Sequence, residues 1–304
     1  MHPLREALPV SIEYWNRRAG RLENESVYGG AGVRLLYGNP VGFTLTHSLL
    51  VRKMVSRFYG SLQSSPRSGA KVETFVKQFG VRIEDFEAGP PPTFNDFFIR
   101  RFRPGKRAFP RDPLVMGAPC EARYYAFSSL GAGATMPVKG LRLAAEDVLA
   151  ETPERERFRD GPCLLARLCP VDYHRFHYPD AGRTLHAHTE TGLLHSVNPL
   201  ALRRKPDLFL ANERVVSVLD TEKFGRLAYV EVGALMVGKI VQTHPVGSPF
   251  ARGDEKGYFL FGGSTVIVYG EKGAWEPEKD LLEHTALGRE VLVELGEPVA
   301  RACT

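Results

Sequence analysis

The sequence is poor in cysteine, in long apolar runs and in net charge, and each shortage excludes a class of protein. Its 304 residues include four cysteines and no CxxC pair, which are too few to stabilise a chain of this length by disulfide bonds. We therefore expect free thiols in a reducing compartment. The longest early stretch without a charge, residues 35–51, is interrupted by glycine and proline, whereas a membrane-spanning helix needs about 20 predominantly apolar residues. The N-terminus lacks the apolar core of a secretory signal, which predicts that none is present.

The excess of positive charge is small. Forty Lys and Arg residues against 35 Asp and Glu give a formal net charge of +5. This surplus is too weak to indicate a nucleic-acid partner, but it suits an anionic membrane surface or an anionic substrate. The chain is 43% hydrophobic and long enough to bury a large core, which excludes a disordered protein.

Hydrophobic periodicity divides the chain into a helical first part and a strand-rich remainder. Helical spacing of apolar residues covers residues 41–62 and 71–78, and a last helical pattern covers 278–287. Short β-branched and aromatic runs predict strands at residues 214–219, 227–232 and 265–269.

These patterns predict an α+β fold. We expect an N-terminal helical region over residues 1–105, packed on a β-rich core over residues 106–304 that includes a short C-terminal helix. The predicted helix at 41–62 has Arg52, Lys53 and Arg57 beside its apolar residues. Such a helix either packs on the protein core or lies in a membrane interface.

Ser264 is the first candidate for chemistry. It lies in a run of fourteen uncharged residues, 257–270, for which we predict a strand, a tight Gly-Gly-Ser turn and a second strand. A nucleophile elbow would require glycine where Val266 stands, so an α/β-hydrolase is excluded. Glycine before a serine allows a strained backbone, in which the hydroxyl can attack its own preceding peptide bond. The alternative is an ordinary hairpin turn.

Histidines form the second candidate. Five of the nine fall within 22 residues, a density that indicates acid–base or metal chemistry: His174, His177, His186, His188 and His195. No Asp or Glu stands at a metal-ligand spacing beside His174 and His177, although a metal hydrolase stays an alternative. In an extended segment His186 and His188 would share one face, which a solvated strand explains equally well.

Several motifs together resemble one enzyme family, the phosphatidylserine decarboxylases. They occur in the family's order over nearly the whole chain: Phe94-Asn95-Asp96-Phe97-Phe98-Ile99-Arg100, Asp172-Tyr173-His174-Arg175-Phe176-His177, Ser196-Val197-Asn198-Pro199, Asn212-Glu213-Arg214, Val232-Gly233-Ala234 and Phe261-Gly262-Gly263-Ser264-Thr265. Further elements, Asn39-Pro40 among them, resemble the longer, type II branch.

The resemblance implies a proenzyme that cuts itself between Gly263 and Ser264, leaving fragments of residues 1–263 and 264–304 that stay together. It also implies that Ser264 becomes a pyruvoyl group, with no pyridoxal phosphate and no metal. Decarboxylation leaves carbanion character at the α carbon, and a pyruvoyl carbonyl supplies the electron sink that the side chains lack. The implied reaction converts phosphatidylserine to phosphatidylethanolamine and carbon dioxide.

By motif position, the resemblance assigns three further residues. His177 is the base for self-cleavage, and His174 handles substrate and moves a proton during decarboxylation. The family's orienting carboxylate is an Asp, whereas this chain has Glu121, one methylene longer, in Pro119-Cys120-Glu121-Ala122. We hypothesise that Glu121 substitutes for it. The alternative is a phospholipid-binding relative that never matures.

The resemblance also implies partners and a location. It predicts a homodimer that is peripheral to the cytoplasmic side of the cell membrane, with phosphatidylserine and an anionic membrane surface as partners and no nucleic acid.

Overall fold

A computed structural model of the chain describes residues 12–25, 35–36, 42, 44, 46, 50–51, 53–89, 91–131, 143–235, 239–262 and 264–303. The predicted α+β class is confirmed, because the strands pair almost entirely antiparallel and the helices are short and few. The four cysteines are free, as predicted.

The strands of the described residues form one large sheet and two small ones. They are β1 Glu13–Asn16, β2 Arg21–Asn24, β3 Val115–Gly117, β4 Ala122–Phe127, β5 Cys163–Leu168, β6 Arg175–His177, β7 Gly182–Glu190, β8 Arg214–Thr221, β9 Arg226–Gly233, β10 Ile240–Gln242, β11 Pro249–Phe250, β12 Glu255–Phe259, β13 Ser264–Gly270, β14 Trp275–Pro277, β15 Glu290–Val293 and β16 Pro298–Ala302. The ten-stranded sheet has the order β11-β7-β8-β9-β13-β5-β4-β15-β1-β2, and the small sheets have the orders β10-β12-β6 and β14-β16-β3.

The helices of the described residues lie mainly before and between the strands. They are α1 Lys53–Gln63, α2 Lys71–Phe79, α3 Phe94–Phe98, α4 Ala145–Val148, α5 Pro199–Arg204, α6 Leu208–Ala211 and α7 Lys279–Ala286, with 3-10 turns at Pro66–Ala70, Ile83–Asp85 and Arg155–Phe158. Helices α2 and α7 confirm the predictions at 71–78 and 278–287. Helix α1 confirms the second half of the helix predicted at 41–62, and residues 41, 43, 45, 47–49 and 52 lie outside the described residues.

Strand β13 explains the uncharged run that precedes and includes it. It lies between β9 and β5 near the middle of the large sheet. Because side chains alternate across a strand, Val266 and Val268 enter one buried cluster while Ile267 and Tyr269 enter another on the opposite face. A strand covered on both faces requires an unbroken apolar sequence, and this strand begins at Ser264.

The two strands predicted within residues 257–270 are present as β12 and β13, whereas the alternative of an ordinary hairpin between them is wrong. Strand β12 pairs with β10 and β6 in a small sheet, whereas β13 pairs with β5 and β9 in the large one. The chain therefore passes from a small sheet to the large one between Phe259 and Ser264. Gly262 has φ 141°, a backbone geometry that L side chains rarely adopt.

The N-terminal region is less purely helical than predicted. Strands β1 and β2 form a hairpin, and β1 runs parallel to β15 with Tyr14 opposite Glu290. These strands are four residues long and carry charges, so the sequence shows no strand periodicity there. Their pairing with a strand near the C-terminus adds the hairpin to the edge of the large sheet.

An aromatic cluster connects the helical region to the segment before Ser264. Its buried members are Phe75, Phe94, Phe97, Phe98 and Phe261. The backbone N–H of Phe261 also donates to the Asn95 side-chain oxygen, at 3.0 Å. Helix α3 thus fixes the position of Phe261, three residues before Ser264.

Candidate active site

Ser264 is completely buried at the first position of β13. It lies opposite Leu168 of β5 and Gly233 of β9. Gly263, the other residue of the predicted cleavage bond, lies outside the described residues. The serine hydroxyl is therefore placed in the protein interior, where a nucleophile is shielded from water.

His174 is the histidine that meets Ser264. Its Nδ1 atom lies 3.5 Å from the Ser264 Oγ atom, and its Nε2 atom lies 2.9 Å from the carbonyl oxygen of Cys169. A carbonyl only accepts hydrogen bonds, so Nε2 carries the proton and Nδ1 directs its lone pair towards the serine. The ring of Phe98 stacks on the imidazole at 3.7 Å and restricts its rotation.

The environment keeps His174 neutral. Burial and the neighbouring Arg100 guanidinium hold its pKa well below the usual value, and the hydrogen bond to Cys169 opposes them only in part. At neutral pH the imidazole is therefore free to accept a proton. Burial and the Arg100 charge disfavour the imidazolium that a proton taken from Ser264 would create.

His177 lies on the other side of the same motif, beside the segment that carries Glu121. Its backbone N–H donates to the Pro119 carbonyl at 2.7 Å. Its Nδ1 atom donates to the Gly253 carbonyl at 2.9 Å, which leaves Nε2 to accept from the Tyr173 hydroxyl at 3.2 Å. Burial lowers the pKa of His177, while Glu255 partly restores it.

Glu121 is held by an arginine. The Arg107 Nε atom donates to the Glu121 carboxylate at 2.9 Å. Burial raises the pKa of Glu121, Arg107 opposes that shift, and Glu294 and Asp172 add to it. Both side chains line a cavity of about 310 Å3, together with Arg100, Arg123 and Asp172 among others.

The structure thus joins only part of the predicted site. It brings Ser264 and His174 together, and it places the backbone of His177 beside the Pro119–Glu121 segment. Among the hydrogen bonds of the described residues, none joins Glu121 to His177 or His177 to Ser264. The predicted serine, base and carboxylate are consequently not yet aligned in the uncut chain.

Of the other histidines in the predicted cluster, two lie on β7 and His195 is buried before α5. His186 and His188 lie opposite Val218 and Val216 on one face of β7, as predicted, and His188 contacts Glu190 at 3.1 Å. Over the described part of the chain, no three His, Cys, Asp or Glu side chains are grouped as metal ligands would be.

Sequence reasoning missed two residues that contact the predicted site. Tyr173 lies inside the motif of residues 172–177, and its hydroxyl donates a hydrogen bond to a ring nitrogen of His177. Arg107 gives no signal in the sequence, because its partner Glu121 is fourteen residues away and only the fold shows which arginine meets it.

Known proteins match nearly the whole chain. The model of the family described as phosphatidylserine decarboxylase matches residues 94–300. A relative from Clostridium kluyveri, named phosphatidylserine decarboxylase proenzyme, is 36% identical over 290 residues, covering 95% of this chain and 98% of the relative. A protein of the same name from Desulfitobacterium hafniense is 36% identical over 292 residues, covering 95% of this chain and 97% of its own. The chain therefore belongs to the phosphatidylserine decarboxylase family.

Proposed function

We propose that this protein cuts itself at Gly263–Ser264 and then decarboxylates phosphatidylserine to phosphatidylethanolamine through a pyruvoyl group formed from Ser264. The observation that carries the proposal is the buried Ser264 hydroxyl, 3.5 Å from the unprotonated nitrogen of His174 in a chain of this family. The proposal includes His177 as the base of self-cleavage, Glu121 as its orienting carboxylate and His174 as the proton-transfer residue of decarboxylation.

Self-cleavage needs only groups of the chain and one water molecule. The Ser264 oxygen attacks the Gly263 carbonyl carbon, its proton passes to a histidine, and the amide bond becomes an ester. Loss of the Ser264 α proton then expels the Gly263 carboxylate and leaves a dehydroalanine. Its imine form is hydrolysed by water, which releases ammonia and leaves a ketone at position 264.

The surroundings of Ser264 suit such a ketone. The position is buried, and the aromatic ring of Phe98 stacks on His174, the side chain that contacts Ser264. The pyruvoyl ketone supplies the electron sink for loss of carbon dioxide from an amino acid. His174 is placed to hold and return a proton at this position, and the buried site limits access of water to it.

Maturation is the direct test of this proposal. We expect purified protein to run as two species on denaturing electrophoresis, residues 1–263 and residues 264–304. Intact-mass measurement should show a pyruvoyl group at the N-terminus of the smaller fragment. Ser264→Ala should give a single uncut chain without decarboxylase activity on phosphatidylserine liposomes. An uncut wild-type chain would contradict the proposal.

A specific observation favours the second candidate, a phospholipid-binding relative that never matures. Glu121 bonds to Arg107 instead of His177, so the family's carboxylate–histidine contact is missing in the described residues. Liposome binding by an uncut wild-type chain, without release of carbon dioxide, would establish this candidate.

We further propose that helix α1 attaches the protein to an anionic membrane surface. Met54, Phe58 and Leu62 are 80%, 67% and 48% exposed. They follow one another at intervals of four, so they form a stripe on one helix face. Ser56 and Gln63 are buried on the opposite side, so this helix turns apolar residues outward.

The charge around the stripe supports a lipid surface. Arg67 and Lys71 are exposed just after α1, and basic residues beside an apolar helical face favour anionic lipid. None of the described helices is long and apolar enough to cross a bilayer.

We expect Phe58→Ser to weaken binding to phosphatidylserine-containing liposomes about tenfold, because burial of a phenylalanine contributes about 1.5–3 kcal/mol. Combining it with Met54→Ser and Leu62→Ser should weaken binding further. Co-sedimentation with liposomes measures the effect, and Leu287→Ser is the matched control, since Leu287 is 64% exposed outside α1. Unchanged binding of the triple variant with the fold preserved would exclude α1 as the membrane contact.

A further inference from the structure

The candidate site lies between two sheets that face each other. Residues of the small sheet β10-β12-β6 and of the large sheet share one buried apolar cluster, in which the rings of Phe176 and Tyr229 lie 6.3 Å apart. Apolar contact is not directional, whereas hydrogen bonds and ion pairs have defined partners and geometry. Polar contacts across this layer therefore select one displacement of the sheets relative to each other.

The serine and the two motif histidines lie on opposite sides of the layer. Ser264 begins β13 of the large sheet, and His177 ends β6 of the small one. His174 directly precedes β6, and its carbonyl accepts the backbone N–H of Phe259 on β12 at 2.9 Å. A displacement of the small sheet would therefore move both histidines relative to Ser264.

A buried ion pair crosses the same layer. Lys256 of β12 and Glu231 of β9 are 2% and 0% exposed, and the Lys256 Nζ atom lies 2.6 Å from a Glu231 carboxylate oxygen. The ammonium also donates to the Ser217 hydroxyl on β8 at 3.1 Å and to the Gln242 side-chain oxygen on β10 at 2.8 Å. Its three hydrogens thus have three acceptors, two of which belong to the large sheet.

Removal of this pair from water is costly. Burial lowers the pKa of Lys256 and raises that of Glu231, and each charge opposes the shift of the other. A buried ion pair often adds no more stability than apolar side chains of similar volume. Its place in the fold suggests a different contribution, because Glu231 lies two residues before Gly233, the partner of Ser264 on β9.

We propose that the Lys256–Glu231 pair positions the two motif histidines opposite Ser264 by fixing the displacement of the small sheet on the large one. The pair acts through β12, which carries Lys256 and, three residues later, the Phe259 N–H that binds the residue before β6. Among the described hydrogen bonds, neither side chain of the pair contacts the serine or a motif histidine. Only the effect on cleavage rests on the proposed function, because the alignment is a property of the uncut chain.

The alignment is measurable before cleavage. In the uncut Ser264→Ala chain with 13C-methyl-labelled alanine, we expect a nuclear Overhauser effect between the methyl group at position 264 and the His174 ring, which lies 3.5 Å from the Ser264 Oγ atom in the wild-type chain. Adding Lys256→Met and Glu231→Leu removes both charges and keeps the layer filled. That chain should stay folded, with a melting temperature at least that of its parent, and lose the signal. Full retention of the signal would overturn the proposal.

Cleavage is the second readout. In the cleavable chain we expect Lys256→Met/Glu231→Leu to slow cleavage about 100-fold without loss of stability, as a displacement of about 1 Å between reacting groups does. A pair that only stabilised the fold would give no such separation, so a stable double variant cut at the wild-type rate would overturn the proposal. Lys256→Met alone should instead lose stability, because it leaves the Glu231 carboxylate buried without its partner.

Ser217→Ala is the matched control. It removes one acceptor of the Lys256 ammonium in the same layer and leaves the ion pair in place. We expect it to be cut at nearly the wild-type rate, and slowing as great as in the double variant would overturn the role of the pair. If Lys256→Met/Glu231→Leu does not fold, Lys256→Met/Glu231→Gln takes its place with the same expected results. Absence of cleavage in the wild-type chain would contradict the proposed function and leave the test on the uncut chain standing.

Discussion

His177→Ala is expected to leave the chain uncut, whereas His174→Ala should still be cut and should then fail to decarboxylate phosphatidylserine. Removal of the base that activates a serine lowers its rate about 10⁴-fold or more. Two arguments assign the base to His177, namely its position in the family motif and its milder environment. The pKa of His174 is held well below normal by burial and Arg100, while Glu255 favours a proton on His177. Denaturing electrophoresis over time measures cleavage.

For His177 to act as the base its side chain must move, because its Nε2 atom already accepts a hydrogen bond from the Tyr173 hydroxyl. His188→Ala is the matched control, since His188 contacts Glu190 on β7 and no residue of the predicted site among its described hydrogen bonds. If His174→Ala is uncut and His177→Ala is cut normally, the base is the histidine that already faces Ser264. The contact of 3.5 Å would then describe the first step of cleavage.

Glu121→Gln is expected to slow maturation by about 10²–10⁴-fold, the range seen when an orienting carboxylate or a charge-stabilising donor is removed from a serine site. The change keeps the shape of the side chain and removes its charge. Glu121→Asp restores the family's residue and should be cut at least as fast as wild type. Cleavage of Glu121→Gln at the wild-type rate would show that Glu121 takes no part.

Arg107→Gln separates the carboxylate from its partner. Burial already raises the pKa of Glu121, and loss of Arg107 removes the main group opposing that shift. Glu121 can orient a histidine only while it is charged, and it loses that charge as the pH falls through its pKa. In Arg107→Gln the rate of cleavage should therefore begin to fall at a higher pH than in the wild-type chain. Arg82→Gln is the control, because Arg82 contacts Asp85 and Glu294 in the same cavity. An unmoved pH profile would contradict this role of Arg107.

Local patterns predicted the elements in which burial follows the period of the element. Strand β13 is β-branched and apolar because both of its faces are covered, and helices α2 and α7 alternate apolar and charged residues because one face of each is solvated. Strands β1 and β2 were not predicted, since strands of four residues carry too short a pattern. The two strands within residues 257–270 were predicted, but their partners were not, because the sequence shows that strands exist and not which strands they pair with.

By itself the sequence determined the family and the α+β class, and it predicted Ser264, His174 and His177 as site residues, because these inferences depend on residue types that follow one another in a fixed order along the chain. Only the tertiary structure decided which histidine faces the serine, which nitrogen of that histidine is protonated, and that Glu121 meets Arg107. Those outcomes depend on the Cys169 carbonyl, which accepts the Nε2 proton of His174, and on an arginine that reaches a carboxylate fourteen residues away. Such contacts join residues that no sequence period connects, and differences of about 1 Å among them decide the chemistry.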